Sequence, residues 1–125
     1  MLVYDPRFVE HVSSPLHVER PERIVSIVDR LKAEGLFTDP IAPEPATVDE
    51  VRRVHRASYV EFLRDLQEGY VDPETSVHPA TFDIARLAAG AALRATRSSV
   101  EESRPAVALV RPPGHHAGPD YGGGF

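Results

Sequence analysis

The sequence contains no cysteine at any of its 125 positions. Disulfide bridges and thiolate metal sites within the chain are therefore excluded, while the redox compartment is left open. No apolar run approaches membrane-spanning length, and Asp5 and Arg7 place charges where a secretory signal would carry its apolar segment. These absences lead us to expect a soluble, cytoplasmic protein without a membrane partner.

The chain also lacks an excess of positive charge. Its 14 Lys and Arg residues stand against 19 Asp and Glu residues, which gives a formal net charge of −5. A basic surface that attracts nucleic acid or anionic lipid is not expected, whereas a cationic ligand is compatible with this charge but not required by it. The hydrophobic content of 42% is ordinary for a globular domain that buries a core.

Two long helices are predicted from the spacing of apolar residues. The stretch 21–35 has proline in the first turn of the predicted helix and Gly35 just past its end, and it places Ile24, Ile27, Val28 and Leu31 on one face. The second helix covers residues 82–100 after Thr81, which is predicted to be its N-cap. Its many alanines, with Gly90 among them, favour close packing against another element.

Shorter elements are predicted between these helices. The pairs Thr47/Glu50 and Ser58/Glu61 match the capping-box pattern, so each is expected to open a short helix. The proline-rich stretch 38–46 and the stretch 69–80 are predicted to be loops.

Two apolar runs are predicted to be strands of one parallel sheet. They are "MLVY" (1–4), followed by a turn at "DPRF", and "AVALV" (106–110), which is apolar on both faces. Helices alternating with strands indicate an α/β fold. Two strands cannot cover their own sheet edges, so we expect residues 1–125 to be the first part of a larger doubly wound domain.

The stretch "RPPGHHAGPDYGGGF" begins where the second strand ends, and this is where open α/β sheets bind ligands. Pro112, Pro113 and Gly114 would aim His115 and His116 in fixed directions. Neighbouring side chains on an extended segment point apart, so joint chelation of one metal ion is not expected. Histidine suits general base catalysis near neutral pH.

Other interpretations of this stretch stay open. Two loop histidines are often simply solvated, and the three glycines 122–124 could form a flexible tail or an anion-binding nest. His17, His55 and His78 are interpreted as structural, and His11 has no predicted role.

The stretch "VRPPGHHAGPDYGGGF" resembles the signature of the histone deacetylase family, which includes bacterial deacetylase-like amidohydrolases, acetylpolyamine amidohydrolases and acetoin-utilisation proteins. The resemblance continues in "LHVERPERIVSIVDRL", "VHRASYVEFL" and "DPETSVHPATFDIARLAAGAA", with Val18 where proline is common. It implies an arginase/deacetylase-like three-layer α/β/α fold with a central parallel sheet, incomplete in this chain. Residues 1–125 would form the N-terminal portion of a single catalytic domain.

The resemblance also implies roles for residues at the end of the chain. His116 matches the family's general base, and His115 matches the partner that orients water and stabilises charge. Gly124 and Phe125 match a Gly-Phe pair whose carbonyl and aromatic ring contact the substrate in its tunnel.

Three further residues receive roles from the same resemblance. Glu74 falls where many members carry an aspartate at the tunnel rim, and Asp72 is a neighbouring candidate for that role. Arg23 matches an arginine that lines an internal cavity.

The activity implied is zinc-dependent hydrolysis of an acetyl amide, in an acetyl-lysine protein or a small acetylated polyamine. The family's zinc ligands lie downstream of the Gly-Phe pair, so no metal ligand is assigned within residues 1–125, and this stretch alone is expected to be inactive. One alternative is a truncated, non-catalytic module that binds a partner chain. A homo-oligomer is a further candidate for assembly, whichever function applies. A weaker alternative is an anion-binding protein.

Overall fold

The computed structural model describes residues 1–13 and 17–123. The strands are β1 (Leu2–Val3), β2 (Gly69–Asp72), β3 (Thr75–Val77) and β4 (Val107–Ala108), and the helices are α1 (Pro21–Ala33), α2 (Val48–Val51), α3 (Ala57–Asp65) and α4 (Thr81–Glu102). A 3-10 helix, Pro6–Val9, follows β1. Within the described ranges, none of the helices combines the length and apolar character needed to cross a lipid bilayer.

The predicted parallel pairing of the first and last strands is confirmed. In β1 and β4, Leu2 pairs with Val107 and Val3 with Ala108. On the other side of β1, the backbone of Ile41 accepts a hydrogen bond from Tyr4 N at 3.0 Å and forms a parallel bridge to Val3. The prediction that 38–46 is entirely loop is therefore wrong at Ile41. A single strand residue between prolines gives no alternating pattern that the sequence could show.

The hydrophobic core lies between the parallel sheet and helix α4. Its buried members come from β1, the 3-10 helix, α1 and above all α4: Val3, Phe8, Ile24, Ile84, Leu87, Ala88, Ala91 and Ala95. Asp5 caps the 3-10 helix by accepting a hydrogen bond from Arg7 N at 2.8 Å. This cap turns the chain after β1 so that Phe8 is fully buried, although "DPRF" predicted only a turn.

Close packing of the long helix is confirmed at Gly90. A Cβ atom there would overlap the carbonyl oxygen of Glu44. Beside it, Ala46 N donates to Arg86 O at 2.9 Å, and Arg86 Nε donates back to Ala46 O at 2.8 Å. The backbone of residues 44–46 therefore lies directly against α4.

Only one of the three predicted helix caps is confirmed. Thr47 and Glu50 form the full capping box, with Glu50 N donating to Thr47 Oγ1 at 3.2 Å and Thr47 N donating to Glu50 Oε2 at 2.9 Å. Ser58 is already inside α3, whose N-cap is Arg56. Thr81 is the first residue of α4, and its hydroxyl accepts a hydrogen bond from His78 N instead.

The predicted loop 69–80 contains an antiparallel hairpin. Gly69 pairs with Val77 and Tyr70 with Ser76 across β2 and β3. The prediction failed because the Asp-Pro pair in the middle is typical of a turn, and that turn joins two strands too short to show alternation.

Candidate active site

The loop that follows β4 (111–123) begins with a buried ion pair. Arg111 donates from Nε to Glu19 Oε1 at 2.7 Å, from Nη2 to Glu19 Oε2 at 3.0 Å, and from Nη1 to Phe8 O at 2.7 Å. The two side chains are 3% and 1% exposed. Burial by itself would raise the pKa of Glu19, but the hydrogen bonds and charge of Arg111 outweigh it and hold that pKa below its ordinary value.

His115 and His116 lie exposed in the middle of this loop. Ala117 N donates to Gly114 O at 3.0 Å, so the chain turns here. The ring centroids are 4.0 Å apart, with 48° between the planes. The expectation that the two side chains point apart is wrong, because it assumed an extended segment.

The two imidazole rings are too few for a resident zinc ion. A catalytic zinc site uses three protein ligands and an open position for water. Across the described parts of the chain, no group of three His, Cys, Asp or Glu residues could hold a metal ion. The residues of these ranges therefore do not form a zinc site by themselves.

The second half of the loop is held by the start of α3. His55 Nδ1 lies 2.8 Å from Gly118 O, and Arg56 N donates to Pro119 O at 2.7 Å. Arg56 Nη1 also pairs with Asp120 Oδ2 at 2.8 Å. His55, interpreted from sequence as structural, thus contacts the same loop that carries the histidine pair.

The hairpin turn brings Asp72 close to His116. Asp72 accepts hydrogen bonds from Glu74 N and from Thr75 Oγ1, each at 2.8 Å. A Cβ atom at Gly123 would lie 3.7 Å from both Asp72 Oδ2 and His116 Cβ. The carboxylate of Asp72 and the histidine loop therefore flank the same glycine, while Glu74 is exposed at the tip of the turn. The rim role of either carboxylate stays a prediction.

A shallow groove of about 330 Å³ lies between the start of α3 and the end of the loop. It is lined by Ser58, Tyr59, Phe62, Val71, Asp120, Tyr121 and Gly122. Burial, assisted by the charge of Asp72, raises the pKa of Tyr59. The phenol is therefore protonated at neutral pH and available as a hydrogen-bond donor. Tyr59 was not predicted as a site residue, because it has the spacing of an ordinary helix-face residue.

Arg23, for which the resemblance implies an internal cavity, lies beside the ion pair at the start of the loop. The side chain of Arg23 is 58% exposed, and its Nη1 lies 3.7 Å from Glu19 Oε1. Its role in an internal cavity stays a prediction. Gly124 and Phe125 lie outside the described residues, so their predicted substrate contacts also remain predictions.

His11, which had no predicted role, is buried next to the ion pair. Its Nδ1 lies 3.0 Å from Thr81 Oγ1, and its ring centroid lies 6.5 Å from that of His78, with 63° between the ring planes. Burial, and secondarily the charge of Arg111, lowers the pKa of His11 to about 4. The ring is therefore neutral at physiological pH.

Comparison with known proteins covers nearly the whole chain. Residues 17–125 match the family model of the histone deacetylase domain. A probable deacetylase of Archaeoglobus fulgidus is 38% identical over 99% of this chain and 36% of its own length. A histone deacetylase-like amidohydrolase of Pseudomonas aeruginosa is 34% identical over 98% of the chain and 32% of its length. The human polyamine deacetylase HDAC10 is 36% identical over 86% of this chain and 18% of its own length.

Among solved structures, the HDA15 HD domain is similar, with a TM-score of 0.89 and 32% identity over 99% of this chain and 38% of that one. This similarity confirms the predicted arginase/deacetylase-like α/β fold, of which the present sheet is a part. The chain spans about a third of the length of the archaeal and pseudomonad relatives.

Proposed function

Because the chain belongs to the histone deacetylase family, whose members include named deacetylases and amidohydrolases, we propose that it forms the N-terminal part of an acetyl-amide hydrolase. The observation that carries this proposal is the adjacent, exposed pair of His115 and His116 in the loop that follows the parallel strand β4. Strand ends of this kind are where α/β folds place ligand sites. We further propose that the enzyme depends on zinc, with its ligands outside residues 1–125.

The chain's own contribution to such a reaction is proton handling. A neutral imidazole carries one acceptor nitrogen and one N–H donor. In the proposed role, His116 accepts the proton of the attacking water and returns it to the leaving amine, while His115 donates a hydrogen bond that orients the water. Two rings with centroids 4.0 Å apart can face the same small volume, as these two roles require.

The proposed substrate is an acetylated amine, either acetyl-lysine in a protein or a small acetylated polyamine. The net charge of −5 is compatible with a cationic substrate. Asp72, close to His116 across Gly123, offers a carboxylate near the proposed reaction centre. Nucleic acid and membrane are not among the proposed partners.

The test uses the complete gene product that contains these residues. Acetate release is measured from an acetyl-lysine peptide and from an N-acetylated polyamine, before and after metal removal and zinc addition. His116→Ala is expected to lower kcat by a factor of about 10² to 10⁴, while the exposed helix variant Arg94→Ala keeps the unmodified rate. The proposal would be refuted if neither substrate were hydrolysed, or if His116→Ala kept full activity.

A further inference from the structure

We propose that Arg111 and Glu19 position His115 and His116 for catalysis, so that loss of their bond lowers turnover more than substrate binding. The inference rests on the proposed hydrolase function and adds positioning residues to it. Both side chains are buried, so neither contacts the substrate. Their role is to hold the loop that carries the histidines.

The guanidinium of Arg111 is fixed in both position and orientation. Its hydrogen bonds reach both oxygens of Glu19 and the carbonyl of Phe8, all at 3.0 Å or less. A planar group bound in this forked manner cannot rotate or shift without breaking several bonds together. Since Phe8 is itself fully buried, the start of the loop is tied to the hydrophobic core.

The anchor is connected to the histidines by a short, stiff segment. Only Pro112, Pro113 and Gly114 separate Arg111 from His115, and the two prolines hold φ within a narrow range. The prolines therefore pass a displacement of Arg111 on to Gly114, whose carbonyl is held by the hydrogen bond from Ala117 N at 3.0 Å, and so to the turn that carries the imidazole rings. Displacements of about 1 Å in a catalytic group can reduce rates about a hundredfold.

The pair is not explained by stability alone. Buried ion pairs commonly contribute no more than well-packed apolar residues of similar size, because desolvation offsets their attraction. An apolar pair would fill this space but would lack the directional bonds that define where Arg111 lies. Glu19 also accepts a hydrogen bond from Ser13 Oγ at 3.3 Å and lies near Arg23, so its carboxylate is held from several sides.

The decisive variant replaces both charges, Arg111→Met with Glu19→Met, in the complete protein. Replacing both avoids an unpaired buried charge that would threaten folding. We expect a folded protein with kcat lowered about a hundredfold and KM changed by less than roughly threefold. The matched control is Arg97→Met, which breaks the long-range pair between the exposed Arg97 side chain and Glu50 at 2.8 Å and should leave kcat unchanged.

Arg111→Lys separates geometry from charge. Lysine keeps the positive charge but cannot form the forked contact, so kcat is expected to fall here as well. A folded Arg111→Lys protein or double variant with the unmodified kcat would overturn the inference, and the lysine variant gives this answer even if the double variant fails to fold.

A readout that does not depend on turnover distinguishes this inference from the proposed function. The imidazole ¹⁵N–¹H NMR signals of His115 and His116, assigned with His→Asn variants, should shift in the double variant but not in Arg97→Met. If the unmodified protein hydrolyses no acetyl amide, the proposed function fails while these signals still test the positioning. Unchanged signals in the double variant would refute it.

Discussion

The two ends of the loop 111–123 are held by different physical means. At its start, Arg111 and Glu19 form a buried charge pair tied to the core. At its end, the pair Arg56–Asp120 is 70% and 45% exposed. The remaining contacts there are the hydrogen bond from Arg56 N to Pro119 O and the contact of the His55 ring with Gly118 O. Exposed pairs are screened and contribute little, whereas a buried forked pair fixes geometry. The comparison supports the proposal that the position of the histidine pair is set mainly from the interior of the molecule.

We call the pair Arg111–Glu19 the inner anchor of this loop and the pair Arg56–Asp120 its outer anchor. The largest expected effect concerns the core residue Phe8, whose carbonyl binds the inner anchor. Phe8→Ala removes a fully buried ring and should lower the free energy of unfolding by about 4 kcal/mol. The matched variant Phe62→Ala removes a half-exposed ring beside the outer end of the loop and should cost less than about 1 kcal/mol. Urea denaturation followed by circular dichroism measures both, and equal losses would contradict the contrast between interior and surface.

An intermediate effect is expected from pH at the inner anchor. The pKa of His11 is about 4 in the folded protein against an ordinary 6.5, in surroundings that include Arg111, Glu19, His78 and Thr81. Between these pH values the unfolded chain binds a proton that the folded chain does not. Stability should therefore fall as pH drops from 6.5 towards 4, by at most about 1.4 kcal/mol per unit.

The measurement compares urea midpoints of the unmodified protein and His11→Gln between pH 7 and pH 5. The pKa of Glu19 is lowered in the folded state, and because both proteins carry this carboxyl, its titration affects the two urea midpoints alike. The variant should lose less stability across the range than the unmodified protein. Parallel pH profiles would show that His11 does not titrate as proposed.

The smallest effect is expected at the outer anchor. Asp120→Asn removes the exposed ion pair with Arg56, but the hydrogen bond from Arg56 N to Pro119 O is unaffected. The variant should lower the free energy of unfolding by less than about 1 kcal/mol, measured in the same urea assay. A loss greater than about 2 kcal/mol would place the outer pair on a level with buried ones.

The sequence was informative wherever structure follows from neighbouring residues. The apolar spacing of α1 and the Thr47/Glu50 box are local patterns, and both were predicted. The hairpin was missed because its strands are short and its turn dominates the composition. The contact of Arg111 with Glu19 spans 92 positions, and nothing local indicates which of the many charged residues will pair. The prediction that the two histidine rings point apart was also wrong, because their direction depends on the turn between Gly114 and Ala117 rather than on residue type.

The parallel pairing of β1 with β4 cannot form until residues 107 and 108 have been synthesised. Leu2 and Val3 leave the ribosome before their partners Val107 and Ala108, which follow roughly a hundred residues later. At ordinary translation rates the first strand waits on the order of ten seconds before this ladder can close. Such non-local pairing slows folding, and it leaves an apolar strand exposed to chaperones or to other nascent chains until the segment that carries the histidine loop has been made.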